Sequence, residues 1–352
     1  MERLIFHIDL NAFYATAEAI KDSSLLGLPL VVAGSSKRSV ITTASYEARA
    51  FGIRSGMPVM QALTLCPDLV SVPIDMAFYQ KLSTDFVSFL NQYTPLVEQA
   101  SIDECYLDMS SYLSEKRPLD LAFIIQKELM ETLELKASIG ISYNKFLAKM
   151  ASDMIKPLGI SIIRENEIKQ KIWPIPIEKM HGIGKATAPK LRKLKIETIG
   201  DLASYQNITS LRKHLGKNTQ AFIDNANGVG ESIINVDQEI KSLSQSSTFA
   251  EDVTDYVVIT ELFAKQAKKL AKRLEKHNLL TNNITITLRY NDFNTINKSK
   301  TLNHFISESS DIISEALLLF DSNYTGQPLR LIGISLANLK YENEAISQLS
   351  LF

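Results

Sequence analysis

"SIDECYLDMS", residues 101–110, sets Asp103 beside Glu104 between Ile102 and Tyr106, in a stretch apolar enough to be buried. Adjacent anions repel, and an unpaired carboxylate taken out of water costs several kcal/mol or takes up a proton. A bound divalent cation removes both objections; a solvated acidic turn between two strands is the plain alternative. A further acid, Asp9, ends the apolar run "LIFHIDL" (4–10), which reads as a buried strand. If Asp9, Asp103 and Glu104 meet on adjacent strands of one sheet, they offer the hard oxygen ligands that Mg²⁺ takes, enough to hold two ions for phosphoryl transfer. Strand alternation would point residues 103 and 104 to opposite faces. Both therefore approach a metal only at a strand start or beside a bulge.

At 352 residues the chain is long for one core, so several domains are expected. A hydrophobic content of 45% with 22% charged residues describes an ordinary globular protein rather than a disordered one. Cys66 and Cys105 are too few and too far apart for a disulfide framework or a zinc site, which suits a reducing cytoplasm. The start, "MERLIFHIDL", is too short an apolar run for a signal peptide, and no run is long enough to span a membrane. A net charge of −1 hides an asymmetry: residues 169–217 hold eleven Lys and Arg against three acids, an excess of +8. That excess points to a polyanion partner.

Periodicity after the first strand predicts a helix over 11–21 with Asn11 as its N-cap. Strand, turn, strand and helix follow over 29–52, then an amphipathic helix over 78–94. The acidic strand, a helix over 119–134, the strand 136–142 and a helix over 144–157 come next. This order implies an α+β layer with helices on one face. Short helices fill 166–232, and the Ser-rich run 231–249 reads as an extended linker. A second α+β unit has a helix over 260–278 and strands over 284–290, 300–306 and 329–339. The six cations of residues 265–276 read as a helix's solvated face.

"GIGKATAPKLRKL" (182–194) has the form of a helix–hairpin–helix. Gly182 and Gly184 let the backbone approach a phosphate closely, while Lys185 and Lys190 add charge. Such a turn grips the DNA backbone without reading bases. A plain packing unit with a basic face is the alternative, and the +8 excess favours DNA.

Five segments in order, "HIDLNAFYATAE" (7–18), "TTASYEARAFGIRSGMP" (42–58), "QASIDECYLDMS" (99–110), "IGISYNKFLAKMASDMIKPLG" (140–159) and "HGIGKATAPKL" (181–191), resemble the Y-family of translesion DNA polymerases, in its DNA polymerase IV branch. The resemblance covers nearly the whole chain. It implies an α+β, right-hand polymerase: a ferredoxin-like palm (1–10 and 76–165), small fingers (11–75), a helical thumb with the helix–hairpin–helix (166–232), a linker (233–242), a separate α+β little finger (243–341) and a tail (342–352). It implies Asp9, Asp103 and Glu104 as catalytic metal ligands for two Mg²⁺, with Leu10 adding a backbone carbonyl. Tyr46, Arg49, Lys156 and Thr43 would bind the incoming nucleotide; a tetra-anionic triphosphate needs cations beyond Mg²⁺, and Arg offers a bidentate fork. Tyr14, five residues after Asp9, resembles the steric gate that excludes a ribose 2′-OH. Core packing is its plainer role.

In such a polymerase the little-finger sheet lies against DNA, so Arg289 and Arg330 are the expected phosphate contacts there, beside Gly182, Gly184, Lys185 and Lys190 in the thumb. Leu331 and Ser335 follow the second arginine where some relatives carry cations, which weakens or moves that grip. Expected partners are primer–template DNA, a dNTP and the bacterial sliding clamp, with a monomer in the cytoplasm and no proofreading. The clamp would be met through the tail, where Gln348, Leu349, Leu351 and Phe352 resemble its binding motif. Apolar anchors at the end of a polar segment point to a partner site; a terminal strand docking on the little finger is the alternative. Two rivals stand beside this. A nucleotide cyclase would account for Asp9 and Asp103 but not for the basic hairpin; a non-catalytic DNA scaffold would not need all three carboxylates.

Overall fold

The computed structural model describes residues 3–36, 38–237 and 239–343, and the chain divides into two units, Met1–Asp237 and Gln238–Phe352. The first unit begins with β1 (Ile5–Leu10), buried along its whole length, and enters α1 (Phe13–Lys21) after a two-residue turn. Asn11 does not cap that helix. The N-cap position falls on Ala12, whose φ of 47° is left-handed and which offers no side-chain bond. Asn11 is buried, and a buried amide needs partners on both ends. It finds them across the tertiary structure, donating to Ser138 Oγ at 3.0 Å and accepting from the Leu158 amide at 2.8 Å.

A small sheet follows: β2 (Leu30–Ala33), β3 (Ile41–Ala44), α2 (Tyr46–Ala50), α3 (Val59–Leu65) and β4 (Val70–Val72), ordered β3-β2-β4. It carries its own core around Val31, Ile41, Ala48 and Ile53. The chain then runs through α4 (Met76–Leu90), β5 (Val97–Gln99), β6 (Glu104–Asp108), α5 (Pro118–Leu133), β7 (Ala137–Ser142), α6 (Lys145–Ser152) and β8 (Ile160–Ile162). These build a five-stranded sheet in the order β5-β6-β1-β7-β8, with β1 antiparallel to both β6 and β7.

Alternation along β1 sends Phe6 and Ile8 to one face, where they meet Phe86 of α4 and Ile125 and Leu129 of α5. Ile5, His7 and Asp9 take the opposite face. The expectation of helices on one face is corrected here, because α6 covers that second face: Ile5 and Tyr106 cluster with Ala148, and His7 Nδ1 lies 2.8 Å from Ser152 Oγ. Close approach depends on Gly140, which pairs with His7; a Cβ there would stand 2.0 Å from the Ala148 carbonyl oxygen. Helix α6 also ends at Ser152 rather than running to Pro157. The residue before a proline is pushed out of the helical region, and the chain leaves the helix a turn earlier.

Short helices follow as expected: α7 (Ile168–Lys171), α8 (Ala188–Arg192), α9 (Ile199–Ala203), α10 (Ile208–Leu215) and α11 (Thr219–Ala226). They share a core with α6, in which Ile172, Leu191, Leu202 and Leu211 meet Phe146 and Leu147. Residues beyond them are tied to the five-stranded sheet unit through the Lys145 amide to the Glu231 carbonyl at 2.8 Å and the Asn235 amide to Glu98 Oε2 at 2.7 Å.

The second unit contains β9 (Ser242–Val253), α12 (Tyr256–Lys276), β10 (Leu279–Tyr290), β11 (Thr295–Ile306), α13 (Ser309–Asp321) and β12 (Leu329–Tyr341). Its antiparallel sheet is ordered β11-β10-β12-β9. Phe263 and Leu270 of α12 and Ile312 and Phe320 of α13 pack on Ile284, Ile286, Ile332 and Ile334. The six cations of α12 are exposed, as expected of a solvated face. From residue 242 the Ser-rich run is not linker but the edge strand β9. Only Leu243 and Phe249 of that strand are buried, so its sequence shows no apolar alternation to read. Helix α13 went unread from the sequence, although Ile312, Ala316 and Phe320 repeat at a spacing of four and are buried.

Candidate active site

Asp9 pairs with Glu104 across β1 and β6, so both carboxylates stand side by side on the α6 face. Glu104 is the first residue of β6, and Asp103 belongs to the bend before it. Asp103 is therefore outside the strict alternation that would have sent it to the far face. Its main chain still continues the ladder, accepting from the Leu10 amide at 2.9 Å, while its Oδ1 accepts from Ser101 Oγ at 2.6 Å.

From α6, Lys149 reaches between the two acids, with Nζ 2.9 Å from Asp9 Oδ2 and 2.8 Å from Glu104 Oε1. Lys156 follows at 2.7 Å from Asp9 Oδ2, and Asp153 braces both ammonium groups at 3.3 and 2.9 Å. Burial would raise the Asp9 pKa, but the hydrogen bond with Glu104 and the two lysines outweigh it and hold Asp9 well below the usual carboxylate range. Glu104 goes the other way, pushed up to about 7 by burial and by the Asp9 charge beside it. Burial works against the Lys149 charge, and Asp9, Asp153 and Glu104 more than restore it. His7 lies beneath, its Nε2 3.9 Å from Glu104 Oε2, and burial followed by the Lys149 charge holds it neutral.

This donor set fits a divalent cation in its chemistry. Carboxylate oxygens are the ligands Mg²⁺ prefers, and an ammonium already stands between two of them. Among the described residues no three acids, histidines or cysteines are drawn together as a finished cage; Asp103 is turned onto Ser101 instead.

Asp9, Leu10, Thr43, Tyr46, Arg49, Asp103, Glu104 and Lys156 all line one cleft of about 300 Å³, together with Lys149. Ser45 caps α2 through the Ala48 amide at 3.2 Å, which places Tyr46 and Arg49 on its first turn. The Arg49 guanidinium lies 4.8 Å above the Tyr46 ring and donates through Nε to the Ala44 carbonyl at 3.0 Å. Its remaining donors are thereby aimed from a fixed base. Tyr14 is half-buried beside the cleft, its ring stacked on Tyr79 at 4.4 Å and 15°. Burial and then the Asp103 charge raise its pKa.

Lys149 and Asp153 were missed from the sequence, though Lys149, Asp153 and Lys156 fall at helical spacing in "AKMASDMIK", an alternating-charge face. Glu18 and Tyr79 left no signal beyond core packing.

Away from the cleft, Gly182 has φ +87°, and Gly182, Gly184, Lys185 and Lys190 are all exposed around the turn into α8. Part of the basic excess is committed elsewhere: Arg192 pairs with Glu178 at 2.6 Å and Lys171 with Glu167 at 2.9 Å. In the second unit Arg289 donates to Thr295 Oγ1 at 2.8 Å, and Arg330 sits 4.5 Å over the exposed Phe293 ring. The open sheet face carries hydroxyl and amide pairs, Thr285 with Ser299 at 3.0 Å and Thr287 with Asn297 at 2.7 Å, in place of a dense run of cations. Gln348, Leu349, Leu351 and Phe352 lie outside the described residues. No helix among the described residues is long and apolar enough to cross a membrane.

Residues 8–153 match the impB/mucB/samB family, 165–196 its helix–hairpin–helix motif and 240–351 its C-terminal domain. The chain is 43% identical to DNA polymerase IV of Bacillus velezensis and 42% identical to DNA polymerase IV 1 of Bacillus subtilis, covering 99% of this chain and 85% of each relative. Its fold is similar to that of a solved Y-family DNA polymerase chimera, with a TM-score of 0.87 and 27% identity over 96% of this chain and all of that one.

Proposed function

The chain belongs to the impB/mucB/samB family of Y-family DNA polymerases, and from that premise we propose that the cleft between β1, β6, α2 and α6 is its nucleotidyl-transfer site. The protein is a DNA-directed DNA polymerase of the translesion class that depends on a divalent metal. The observation that carries the site assignment is the register of Asp9 with Glu104, with Asp103 next in the chain and the cations of Arg49 and Lys156 lining the same 300 Å³ cleft.

In this proposal the primer 3′-OH attacks the α-phosphate of a dNTP, the bond to the pyrophosphate breaks, and the hydroxyl proton is lost. Asp9, Asp103, Glu104 and the Leu10 carbonyl would hold two divalent ions, which when bound lower the pKa of the attacking hydroxyl and offset charge on the leaving group. Lys149 must then give up its place between the acids, and Asp153, just past the end of its helix, is there to receive it. Arg49 offers its fork to the phosphates, with Tyr46 and Thr43 beside it and Lys156 supplying a further charge. Palm, fingers, thumb and little finger would occupy 1–10 with 76–165, 11–75, 166–232 and 243–341. Gly182, Gly184, Lys185 and Lys190, and separately Arg289 and Arg330, would contact phosphates without reading sequence. As the family resemblance implies, base-pair selection would be loose and no proofreading step is included.

Tyr14→Ala should admit ribonucleotides with a modest loss of dNTP use, because a ring that excludes a hydroxyl by bulk selects without catalysing. The check is the ratio of kcat/KM for one rNTP and its dNTP; an unchanged ratio would make Tyr14 a core residue only. Deleting 348–352 should leave clamp-free extension of short primers unchanged and abolish stimulation by a loaded sliding clamp, since a tether raises local concentration without touching the active site. Equal stimulation of truncated and full-length chains would remove the clamp assignment.

A further inference from the structure

Tyr79 is completely buried yet carries a hydroxyl, which donates to Glu18 Oε1 at 2.6 Å. Glu18 is itself only 7% exposed. A carboxylate is a costly way to fill space in a core, and a phenylalanine facing an apolar side chain would fill it more cheaply. The pair must therefore supply something packing does not, and what it supplies is direction. Glu18 lies one helical turn beyond Tyr14 on α1, so both project from the same face. Tyr79 bridges them: its hydroxyl is fixed by Glu18, and its ring lies flat against Tyr14 at 4.4 Å and 15°. Phe13 packs beside both rings, 5.5 Å from Tyr14 and edge-on to Tyr79 at 6.3 Å. The α4 turn bearing Tyr79 is pinned to α1 by Lys21 and Asp75 at 2.6 Å, and Asp75 also caps α4 through the Phe78 amide.

We propose that Glu18 and Tyr79 are positioning residues that hold the Tyr14 ring in the plane from which it excludes a ribose 2′-hydroxyl. The inference rests on the gate role proposed for Tyr14. Exclusion by bulk works only if the ring cannot tilt away, and a half-buried tyrosine on a helix has that freedom unless something flat stands behind it. Stacking fixes the plane of Tyr14, and the hydroxyl–carboxylate bond fixes the tilt of Tyr79.

The test compares single-turnover kcat/KM for one rNTP and its dNTP in the parent, Glu18→Gln, Tyr79→Phe and Tyr14→Ala proteins. Glu18→Gln and Tyr79→Phe should each raise the rNTP-to-dNTP ratio about tenfold, mostly through the rNTP, because each weakens or removes one charge-assisted bond. Tyr14→Ala should raise it further. Tyr79→Phe strands a buried carboxylate, so the double variant Glu18→Leu, Tyr79→Phe, which removes both partners, serves if it fails to fold; the same relaxation is expected. An unchanged ratio in these variants alongside a raised ratio in Tyr14→Ala would overturn the positioning role and leave the gate standing. An unchanged ratio in Tyr14→Ala would overturn both.

Discussion

Replacing Asp103 with Asn, or Glu104 with Gln, should lower nucleotide addition by on the order of a thousandfold and leave primer–template affinity nearly unchanged. Both substitutions keep the side chain's shape and remove its charge, so the effect isolates electrostatics from packing. Charge develops on the attacking and leaving oxygens only in the transition state, and groups that hold cations there act on the rate rather than on ground-state binding. In the proposed assignment DNA affinity should come from phosphate contacts in other segments. Burial and then Asp9 raise Glu104 to about 7, so Glu104→Gln relieves a buried charge while giving up its ion pair with Lys149, and the loss of activity should far exceed any change in folding stability. Single-turnover primer extension beside a gel-shift titration and a melting curve separates the three quantities. Extension by either variant near the parent rate would show that these acids are structural.

Lys149→Met should destabilise the metal-free protein by about 3–5 kcal/mol, the range found when one partner of a buried ion pair is removed. The lysine side chain is only 9% exposed and touches Asp9, Glu104 and Asp153. Without it, two adjacent carboxylates share a buried face with Lys156 alone against them. If that space is built for a cation, millimolar Mg²⁺ should restore part of the lost melting temperature in Lys149→Met and do much less for the parent, whose own ammonium competes. Equal Mg²⁺ shifts in the two proteins would mean that Lys149 and the metal do not share the position.

The acids stood out in the sequence because their chemistry is conspicuous: a carboxylate pair in an apolar stretch calls for either a cation or a solvated turn. Their convergence depended on register. Only the pairing of Asp9 with Glu104 shows that both acids project to the α6 face, and only the bend ahead of β6 lets Asp103 escape alternation. Lys149 was not legible as a partner. A lysine in "FLAKMAS" reads as an ordinary helical residue, and its burial is decided by acids 140 and 45 positions away. The same holds for Glu18, whose partner Tyr79 lies 61 positions on. Strand β9 was hidden for a different reason: a serine-rich edge strand buries almost nothing, so the hydrophobic pattern that marks strands is missing while the backbone pairing to β12 is not. Asn11 misled because the residue type that favours a helix N-cap is also the one that satisfies a buried three-way junction.

The most direct measurement is anomalous diffraction from Mn²⁺ in crystals of this protein with primer–template and a non-hydrolysable dNTP. The predicted result is manganese bound by carboxylate oxygens of Asp9, Asp103 and Glu104, with the Lys149 ammonium moved from between Asp9 and Glu104 and the triphosphate held between Arg49 and Lys156. Manganese bound elsewhere, with Lys149 still bridging Asp9 and Glu104 in a complex that holds both DNA and nucleotide, would contradict the assignment of this cleft.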